Sequence, residues 1–428
     1  MEKAERQWKI EMINKPRGTE DILPEDCELW QVIEDTARSI CKTYGYSEIR
    51  TPVFEDTALF NRGVGDTTDV VQKEMYTFED KGGRSITLRP EGTASVVRSY
   101  LENSLYANPQ PTKLFYLISC YRYEKPQSGR LREFHQFGTE CFGGTSTATD
   151  AEVITLALKF FDTLGVTGLK LNINSIGCLK CRAEYNQKLR EYFERYRDSL
   201  CDTCLERLDK NPMRILDCKS PECGKIAKGA PVMLDYLCDE CRTEFDALKR
   251  YLDEVGIEYN IDPGIVRGLD YYTRTVFEIT SDALGAQSTV CGGGRYNGLV
   301  EELGGKPTDG IGFALGIERL ILIIKKQGLN TSVKEGPALF VAALGDAADI
   351  EAQKIVYGLR NRDVWAERDL CQRSVKAQMK YANKLGSKFS IVLGDDEVEK
   401  GTAKLKNMET GETTEVALDV EEIYYAIV

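Results

Sequence analysis

The sequence predicts an α+β fold followed by a small C-terminal α/β domain, and three observations support this prediction. Two strand-like runs between Leu114 and Gly143 flank the polar loop KPQSGR, which is typical of a hairpin with a long tip. A helical, charged segment from about residue 174 to residue 260 holds eight of the 14 cysteines, which indicates an inserted domain. After a polar linker, strand and helix patterns alternate from Pro337 onwards, which indicates the α/β domain.

Length and composition restrict the classes of protein. A chain of 428 residues predicts two or three domains, and 42% hydrophobic with 29% charged residues is typical of globular proteins. No apolar run approaches the ~18 residues of a membrane span, and the N-terminus has no signal-peptide pattern, so we expect a cytoplasmic protein. The net charge of −12 repels nucleic acid at long range, so any nucleic-acid surface must be a local basic patch.

The N-terminal region predicts a helix and then an extended run. Apolar residues recur at helical spacing from residue 26 to residue 44, and Gly45 ends the predicted helix. The run from Ser47 to Phe54 has an extended pattern. Pro52 within it favours an edge position or an interface, because proline cannot donate a hydrogen bond to a neighbouring strand.

Polar side chains of the predicted hairpin share one face. Alternation along a strand places Arg122 and Glu124 on the same face as Cys120, and the returning strand presents Phe134, Gln136 and Glu140 in the same way. If the two faces coincide, they present a guanidinium, carboxylates, an amide and an aromatic ring to one cleft. The alternative is an ordinary solvated sheet face with cross-strand ion pairs.

Several other nucleotide and catalytic sites are excluded by the sequence. No GxxxxGK[ST] loop occurs. Strand patterning runs from Val266 to Ile279, and CGGGRYNG then leads to a predicted buried helix in DGIGFALGIERLILII. The glycines of CGGGRYNG lack dinucleotide-binding spacing. Tight backbone packing is the better interpretation of these glycines. The one histidine, His135, excludes a histidine-dependent triad and a His-rich metal site, and alternation predicts that it points away from the cleft.

The cysteines of the inserted segment occur as four closely spaced pairs. Two such pairs are enough for one tetrahedral zinc site, and reduced free thiols are the alternative in a reducing compartment. The pairs are Cys178 with Cys181, Cys201 with Cys204, Cys218 with Cys223, and Cys238 with Cys241.

The run YRYEKPQSGRLREFHQFG resembles motif 2 of class II aminoacyl-tRNA synthetases. TPVFED is similar to motif 1, and GIGFALGIERL to motif 3. TLRPEGTA and VRGLDYYTRTVFE resemble segments of the histidyl-tRNA synthetase family, and all five occur in the expected order over nearly the whole chain. The resemblance implies a mixed, mainly antiparallel catalytic sheet, a homodimer, and an enzyme that activates histidine with ATP and Mg²⁺ and transfers it to tRNA.

The resemblance also implies roles in ATP binding. Arg122 matches the motif 2 arginine that bridges the α-phosphate and the amino-acid carboxylate, and Arg267 matches a second arginine at the α-phosphate. Arg130 would hold the terminal phosphate. Phe134 and Arg319 would enclose the adenine ring, and Glu124 would contact the base edge. Without the motifs, Phe134 would be interpreted as core and Arg319 as a helix-surface residue.

A histidine pocket needs acceptors for an imidazole N–H and for the α-ammonium group. By resemblance, Glu140 and Tyr272 face the ring and Tyr271 lines the pocket, although paired tyrosines are also common in strands. The amino-acid head would be held by Glu91, Thr93 and Gln136.

Contacts with tRNA are expected at two places. Lysines 376, 380, 384 and 388 follow Arg373 at intervals of four, which on a helix makes a basic stripe, and the alternative is a solvated face. Its position matches the anticodon-binding domain of class IIa synthetases, so Arg373, Lys376 and Lys380 are the predicted contacts. The loop from Lys125 to Arg130, which includes Gln127, would meet the acceptor end.

The resulting domain prediction places the catalytic domain in residues 1–173 and 261–328. The insertion covers residues 174–260, a linker covers 329–335, and the anticodon-binding domain covers 336–428. Two rival functions are a histidine-sensing regulatory subunit of ATP phosphoribosyltransferase, which typically lacks the anticodon domain, and a threonine or proline synthetase, against which VRGLDYY argues.

Overall fold

The computed structural model describes residues 12–65, 68–218, 220–284, 288–329 and 336–428. The chain divides into two compact units, Met1–Thr331 and Ser332–Val428. The division falls inside the predicted linker, which lies outside the described residues except for Leu329. Within the described residues, none of the helices combines the length and the apolar character that crossing a bilayer requires.

The first unit contains both strands and helices. Its described strands are β1 (Ser47–Glu48), β2 (Phe54–Asp56), β3 (Tyr76–Glu79), β4 (Ser85–Leu88), β5 (Thr112–Tyr121), β6 (Glu133–Phe142), β7 (Leu169–Ser175), β8 (Asn260–Ile261), β9 (Thr273–Ser281), β10 (Thr289–Arg295) and β11 (Gly310–Gly316). Its described helices are α1 (Pro24–Thr43), α2 (Thr57–Val64), α3 (Thr93–Glu102), α4 (Ala148–Thr163), α5 (Leu179–Glu194), α6 (Asp202–Lys210), α7 (Pro221–Ala227), α8 (Asp239–Glu254), α9 (Leu299–Glu302) and α10 (Ile317–Gln327).

Eight of the described strands form one sheet in the order β1-β5-β6-β11-β10-β9-β7-β8. The outer pairs β1–β5 and β7–β8 are parallel, and the pairs between them are antiparallel. The expected mixed, mainly antiparallel sheet is therefore confirmed. Strands β2, β4 and β3 form a separate small antiparallel sheet.

The two faces of the large sheet have different roles. On one face, helices α1, α4 and α10 pack over apolar side chains such as Phe137, Phe277 and Phe313. Because side chains alternate along a strand, the neighbours Gln136 and Glu140 of β6 point to the other face. The helices bury one face of the sheet. The polar side chains of β6 lie on the opposite face, where a cleft is able to form.

The predicted N-terminal helix and hairpin are confirmed as α1 and as β5 with β6, and Gly45 adopts the left-handed conformation after the helix. The extended run is interrupted: β1 ends at Glu48 and β2 begins at Phe54, with Pro52 between them. The Arg89 guanidinium donates to the Pro52 carbonyl at 3.1 Å, so a side chain replaces strand pairing there.

One predicted strand starts later than the sequence pattern indicated. Strand β9 begins at Thr273, and residues 266–272 form a loop, so the strand prediction is wrong for that stretch. Side chains of the cysteine-rich segment bind this loop. The Arg214 guanidinium donates to the Gly268 carbonyl at 3.2 Å, and the Asn211 amide donates to Asp270 at 3.2 Å.

The cysteine-rich segment is helical, as predicted, and contains α5, α6, α7 and α8. Its buried residues, such as Tyr185 and Leu189, belong to the same apolar cluster as Tyr271 and Tyr296 near the glycine-rich strand β10. The segment thus packs against the rest of the first unit, on the side where the 266–272 loop lies.

The second unit is a small α/β domain, as predicted. Its described strands are β12 (Leu339–Ala343), β13 (Ala366–Arg368), β14 (Phe389–Leu393), β15 (Thr402–Asn407) and β16 (Thr413–Ala417). Its described helices are α11 (Asp346–Arg360), α12 (Val375–Leu385), α13 (Asp395–Lys400) and α14 (Val420–Ile427). The strand order is β13-β12-β14-β15-β16, with parallel pairing around β12.

Helix α12 carries the predicted lysine stripe, with one correction. Lys376, Lys380 and Lys384 are exposed on this helix. Gly386 ends the helix in the left-handed conformation, so Lys388 lies outside it and the four-residue repeat does not place it on the stripe.

Candidate active site

A cleft on the open face of the large sheet gathers residues from distant parts of the chain. Its described walls come from the loop before α3, the β5–β6 hairpin, the 266–272 loop, β10 and the start of α10. Eleven residues predicted to bind substrates line it: Glu91, Thr93, Arg122, Glu124, Arg130, Phe134, Gln136, Arg267, Tyr271, Tyr272 and Arg319. The structure thus brings four arginines from three separate segments to one cavity.

Arg122 is held in place at the end of β5. Its Nε donates to the Pro90 carbonyl at 2.8 Å, and its guanidinium lies 5.3 Å from the centre of the Phe134 ring. Strand β5 ends at Tyr121 and the Glu124 N–H donates to the Arg122 carbonyl, so the predicted strand alternation does not extend to Glu124. Both side chains nevertheless reach the cleft, because the chain turns there.

Arg267 projects from the 266–272 loop against strands β9 and β10. Its Nη1 pairs with the Glu278 carboxylate, which also accepts from the Thr289 hydroxyl at 2.8 Å. Its Nε is buried and has no hydrogen-bond partner among the described residues. A Cβ added at Gly292 would lie 2.3 Å from Arg267 Nη2, so the glycine makes room for the guanidinium. Tight packing at the glycine-rich strand is therefore confirmed at this position.

Arg319 and Arg130 form the outer, cationic end of the cleft. Arg319 donates to the Gly129 carbonyl at 3.2 Å and to the Thr289 carbonyl at 2.7 Å, which joins the hairpin tip to β10. Arg130 pairs with Glu124 at 2.7 Å. Burial, together with the nearby Arg130 charge, lowers the pKa of Arg319 from its usual value. A bound anion at this end would relieve that repulsion.

Glu91 and Thr93 form the polar inner wall. The Glu91 carboxylate accepts from the backbone N–H groups of Thr93 and Ala94 at 2.7 and 2.8 Å, at the start of α3. Burial raises the pKa of Glu91, and these N–H donors oppose the shift. The carboxylate is therefore fixed in orientation by the helix that follows it.

Glu140 lies directly behind Thr93 and is not among the described residues that line the cleft. It accepts hydrogen bonds from the hydroxyls of Thr93 at 2.7 Å, Tyr116 at 3.1 Å and Tyr296 at 2.6 Å. Burial raises the pKa of Glu140 to about 8, against the opposing effect of these hydroxyl donors. The three hydroxyl donors hold the buried carboxyl group in a fixed orientation.

The remaining predicted pocket residues complete the inner end. The rings of Tyr271 and Tyr272 lie 4.6 Å apart, and the Arg267 guanidinium lies 5.6 Å from the Tyr272 ring centre. Gln136 accepts from the Cys120 thiol at 3.3 Å. The inner end is thus lined by phenol rings, an amide and a fixed carboxylate.

His135 points away from the cleft, as alternation predicts. Its Nδ1 lies 2.8 Å from Glu318 Oε1, and its ring packs edge-on against Trp30 at 4.8 Å. The Glu318 carboxylate also accepts from the His135 backbone N–H at 2.9 Å. These contacts join β6 to the start of α10, which carries Arg319.

The predicted tRNA-binding residues belong to both units. Gln127 is exposed at the hairpin tip, where its backbone and that of Arg130 exchange hydrogen bonds at 3.0 and 2.9 Å. In the second unit, Arg373 pairs with Asp369 at 2.9 Å and lies over the Tyr381 ring at 4.4 Å. Lys376 and Lys380 are exposed on α12.

Sequence reasoning missed the residues that support the site from behind. Tyr116 and Tyr296 hold Glu140, and Glu278 holds Arg267. Glycines opposite the tyrosines were the available signal: a Cβ at Gly138 would lie 2.3 Å from Tyr116, and one at Gly310 would lie 2.2 Å from Tyr296. Glycine at these positions makes space for a buried aromatic ring.

The cysteines of the helical segment come together as two groups, each with four thiol sulfurs within 4.8 Å of one another. This arrangement is able to hold a metal ion. The two groups are Cys178, Cys181, Cys238 and Cys241, and Cys201, Cys204, Cys218 and Cys223.

Taken together, a mainly antiparallel sheet, a motif 2 hairpin with Arg122, and Arg319 at the start of the motif 3 helix define the architecture of a class II aminoacyl-tRNA synthetase. The family model described as histidyl-tRNA synthetase matches residues 18–320, and the one described as anticodon binding domain matches residues 338–424. The chain belongs to the histidyl-tRNA synthetase family.

Individual relatives agree over almost their full lengths. A histidine–tRNA ligase of Acetivibrio thermocellus is 58% identical over 404 residues, which cover 94% of this chain and 97% of the relative. One of Clostridium perfringens is 55% identical over 412 residues, covering 96% and 98%. The crystal structure of apo S. aureus histidyl-tRNA synthetase matches with a TM-score of 0.83 at 44% identity, covering 97% of this chain and 100% of that one.

Proposed function

We propose that the chain is a histidine–tRNA ligase. It activates L-histidine with ATP to histidyl-adenylate and pyrophosphate, and then transfers histidine to the 3′ end of its tRNA. The observation that carries this proposal is the convergence of Arg122, Arg267 and Arg319 on one cleft, beside a wall built from Glu91 and Thr93. Membership of the family supports it. We also propose a cytoplasmic location, which a role in translation would require.

In the first step, the histidine carboxylate attacks the α-phosphorus of ATP, and the bond to the β-phosphate breaks as pyrophosphate leaves. Two anions must approach each other while charge builds on the phosphoryl oxygens, so fixed cations lower the barrier. Arg122 would bridge the carboxylate and the α-phosphate, and Arg267 would bind the α-phosphate. The unpartnered, buried Nε of Arg267 is a donor that such an oxygen would satisfy.

The outer end of the cleft would bind the rest of the nucleotide. Phe134 and Arg319 would enclose the adenine ring, Glu124 would contact its edge, and Arg130 would hold the terminal phosphate. Among the described lining residues, four guanidinium groups face three carboxylates, of which Glu91 belongs to the inner wall. The concentration of guanidinium groups at one cleft favours binding of a polyanion, although the net charge of the chain is negative.

Mg²⁺ is expected to enter with ATP, held mainly by phosphates and water. The Glu278 carboxylate, which pairs with Arg267 and accepts from Thr289 of the cleft wall, would offer a hard oxygen ligand to such an ion, and the ion would offset phosphate charge. None of the described cleft-lining residues is a cysteine, so a metal ion in the cysteine groups would be structural.

The inner end would select histidine. Glu91, Thr93 and Gln136 would hold the amino and carboxyl groups, while Tyr271 and Tyr272 line the ring pocket. We propose that Glu140, behind Thr93, accepts the imidazole N–H. A buried site built to pair with a polar ring rejects apolar analogues strongly, because they leave its groups without partners.

We propose that tRNA contacts both units. Gln127 and its loop would meet the acceptor end, and Arg373, Lys376 and Lys380 would meet the anticodon region. The match of residues 338–424 to an anticodon-binding domain supports the second contact. The predicted domain bounds, with an insertion at 174–260, remain part of this proposal.

We also propose a homodimer. Val53 and Phe54 of the motif 1 segment are 41% and 56% exposed, and both are apolar. Exposed apolar side chains next to Pro52, at the start of β2, favour burial against a second chain. Sedimentation of the purified chain at micromolar concentration would give twice the mass of one chain, and a monomer would contradict the proposal.

The experiment that tests the main proposal is ATP–pyrophosphate exchange with each of the twenty amino acids, followed by charging of transcribed tRNA. Exchange with histidine and charging of the histidine tRNA are expected. Binding of histidine without exchange would favour a regulatory subunit instead, and exchange with threonine or proline would indicate a synthetase of another specificity.

A further inference from the structure

Each of the two groups of cysteines brings together sulfurs from distant parts of the segment. We name as site A the group of Cys178, Cys181, Cys238 and Cys241, which joins the first turn of α5 to the first turn of α8. Site B is the group of Cys201, Cys204, Cys218 and Cys223, which joins α6 to α7. In each site, one pair of cysteines meets the other pair across a fold of the chain.

The sulfur separations have the dimensions of a mononuclear tetrathiolate site. A zinc–sulfur bond of ~2.3 Å places the corners of a tetrahedron about 3.8 Å apart. In site A, the Cys178 sulfur lies 3.6 Å from that of Cys181 and 4.0 Å from that of Cys238. In site B, the Cys201 and Cys218 sulfurs lie 3.8 Å apart. These distances are too long for disulfides and fit one ion per site.

Backbone donors surround the sulfurs as they do around thiolates. In site A, the Cys238 N–H donates to the Cys181 sulfur at 3.1 Å. In site B, the Cys201 N–H donates to the Cys223 sulfur at 3.3 Å, and the Ser220 N–H donates to the Cys218 sulfur at 3.5 Å. Hydrogen bonds of this kind stabilise negative charge on sulfur and orient metal ligands.

The other cysteines of the chain provide an internal comparison. Among the described residues, none of them belongs to a group of potential metal ligands. They are Cys27, Cys41, Cys120, Cys141, Cys291 and Cys371, all with free thiols. Four-membered groups of cysteine therefore occur in the helical segment and are not a general result of a cysteine-rich sequence.

Side chains of the segment that contains both sites donate hydrogen bonds to the backbone of the loop of residues 266–272. Arg182 follows Cys181 on α5, and its Nη2 donates to the Tyr272 carbonyl. Arg214 lies between the cysteine pairs of site B and donates to the Gly268 carbonyl at 3.2 Å. These contacts reach the backbone of the loop that carries Arg267 and Tyr272 into the cleft.

We propose that the helical segment binds two zinc ions, one at site A and one at site B, and that the ions position the 266–272 loop for histidine binding. Zinc at site A fixes the start of α5, which carries Arg182, and zinc at site B fixes the chain on both sides of Arg214. These two arginines hold the loop backbone. Arg182 is thus a positioning residue. The second half of the inference rests on the proposed function, and the zinc content does not.

Elemental analysis of the full chain, purified without chelator or affinity-column metal, tests the zinc sites directly. Two zinc ions per chain are expected. The double substitution Cys178→Ser and Cys181→Ser, and separately Cys201→Ser and Cys204→Ser, should each remove one ion. The matched control Cys27→Ser with Cys371→Ser should retain both. One ion or none in the unsubstituted chain, or iron in place of zinc, would overturn the assignment.

A cobalt titration gives the same answer without substitutions that impair folding. The metal-depleted full chain, titrated with Co²⁺, should develop thiolate-to-cobalt charge-transfer absorption that saturates at two equivalents. Saturation at one equivalent, or absorption without thiolate character, would contradict two tetrathiolate sites.

Substitution of Arg182 tests the connection to the cleft. Arg182→Ala should raise KM for histidine about tenfold with little change in kcat, because a charge-assisted hydrogen bond to the Tyr272 carbonyl is lost. Arg182→Lys should restore most of the affinity, and both variants should retain two zinc ions. An unchanged KM in Arg182→Ala would refute the positioning role. Absence of histidine-dependent exchange in the unsubstituted chain would reject the proposed function while leaving the zinc result intact.

Discussion

Replacement of Gly292 by alanine perturbs the cleft without removing a polar group. Gly292 lies on β10, and an added Cβ would be 2.3, 2.7 and 2.8 Å from three atoms of the Arg267 guanidinium. Ordinary contacts begin near 3.4 Å, so the guanidinium must move by about 1.1 Å, the difference between 3.4 and 2.3 Å. Its ion pair with Glu278 and its buried position resist that movement.

The expected loss of activity follows from this displacement. A shift of about 1 Å in a group that contacts the reacting atoms costs on the order of 100-fold in rate, because the transition state is no longer met by a positioned charge. We therefore expect Gly292→Ala to lower kcat/KM for histidine activation by about 100-fold. The loss should appear mainly in kcat, since most of the proposed contacts with ATP and histidine are unchanged.

Histidine-dependent ATP–pyrophosphate exchange, measured over a range of histidine and ATP concentrations, provides the assay. Gly298→Ala is the matched control in the same glycine-rich run, because its Cβ would meet only Glu302 Oε1 at 3.7 Å. The control should stay within about twofold of the unsubstituted enzyme. Near-normal exchange by a folded Gly292→Ala variant would show that Arg267 is not positioned for the chemistry.

Three further predictions address the same site and the tRNA surface. Arg267→Ala should lower the rate of histidine activation by about 10²–10³-fold, because one fixed donor to the developing charge is lost; exchange kinetics measure this, and near-normal rates would contradict it. Burial raises the folded-state pKa of Glu140 to about 8, above its usual value of 4.5, so ionisation favours the unfolded chain and stability falls as pH rises between these values. Relative to the Glu140→Gln variant, the free energy of unfolding of the unsubstituted chain should fall by up to about 5 kcal/mol over that range, at about 1.4 kcal/mol per pKa unit. If the melting temperatures of the two proteins change in parallel from pH 5 to pH 8, the shift is refuted. Lys376→Ala with Lys380→Ala should weaken tRNA binding and reduce the slope of log affinity against log salt by roughly 1.5, without changing pyrophosphate exchange, and an unchanged slope would exclude phosphate contacts there.

Elements with a strong local pattern were predicted well. The apolar spacing of α1 and the polar loop between β5 and β6 are local properties of the chain, so the sequence is enough to find them. The 266–272 loop was predicted as a strand because Val266 and the two tyrosines favour extended backbone. Contacts from Arg182 and Arg214, which are distant in sequence, decide its actual conformation.

The residues that line the cleft were predicted largely from motifs. The residues that hold them in place were not predicted. Arg122 and Arg319 match motif positions, but nothing in the local sequence indicates that Tyr116 and Tyr296 share a carboxylate with Thr93. Such partners come from different strands and meet only when the sheet forms. The same reason explains why four cysteine pairs in sequence become two groups of four in space.

The sequence by itself determined the N-terminal helix, the β5–β6 hairpin, the alternating C-terminal elements, the five motif segments and the candidate residues for binding an adenylate. These follow from side-chain periodicity and from the chemistry of guanidinium, carboxylate and thiol groups. The tertiary structure decided which distant groups meet: Arg267 with Glu278 against Gly292, Glu140 behind Thr93, and Cys178 with Cys238. Chain folding sets these distances, and the strengths of ion pairs, hydrogen bonds and metal ligation depend on them.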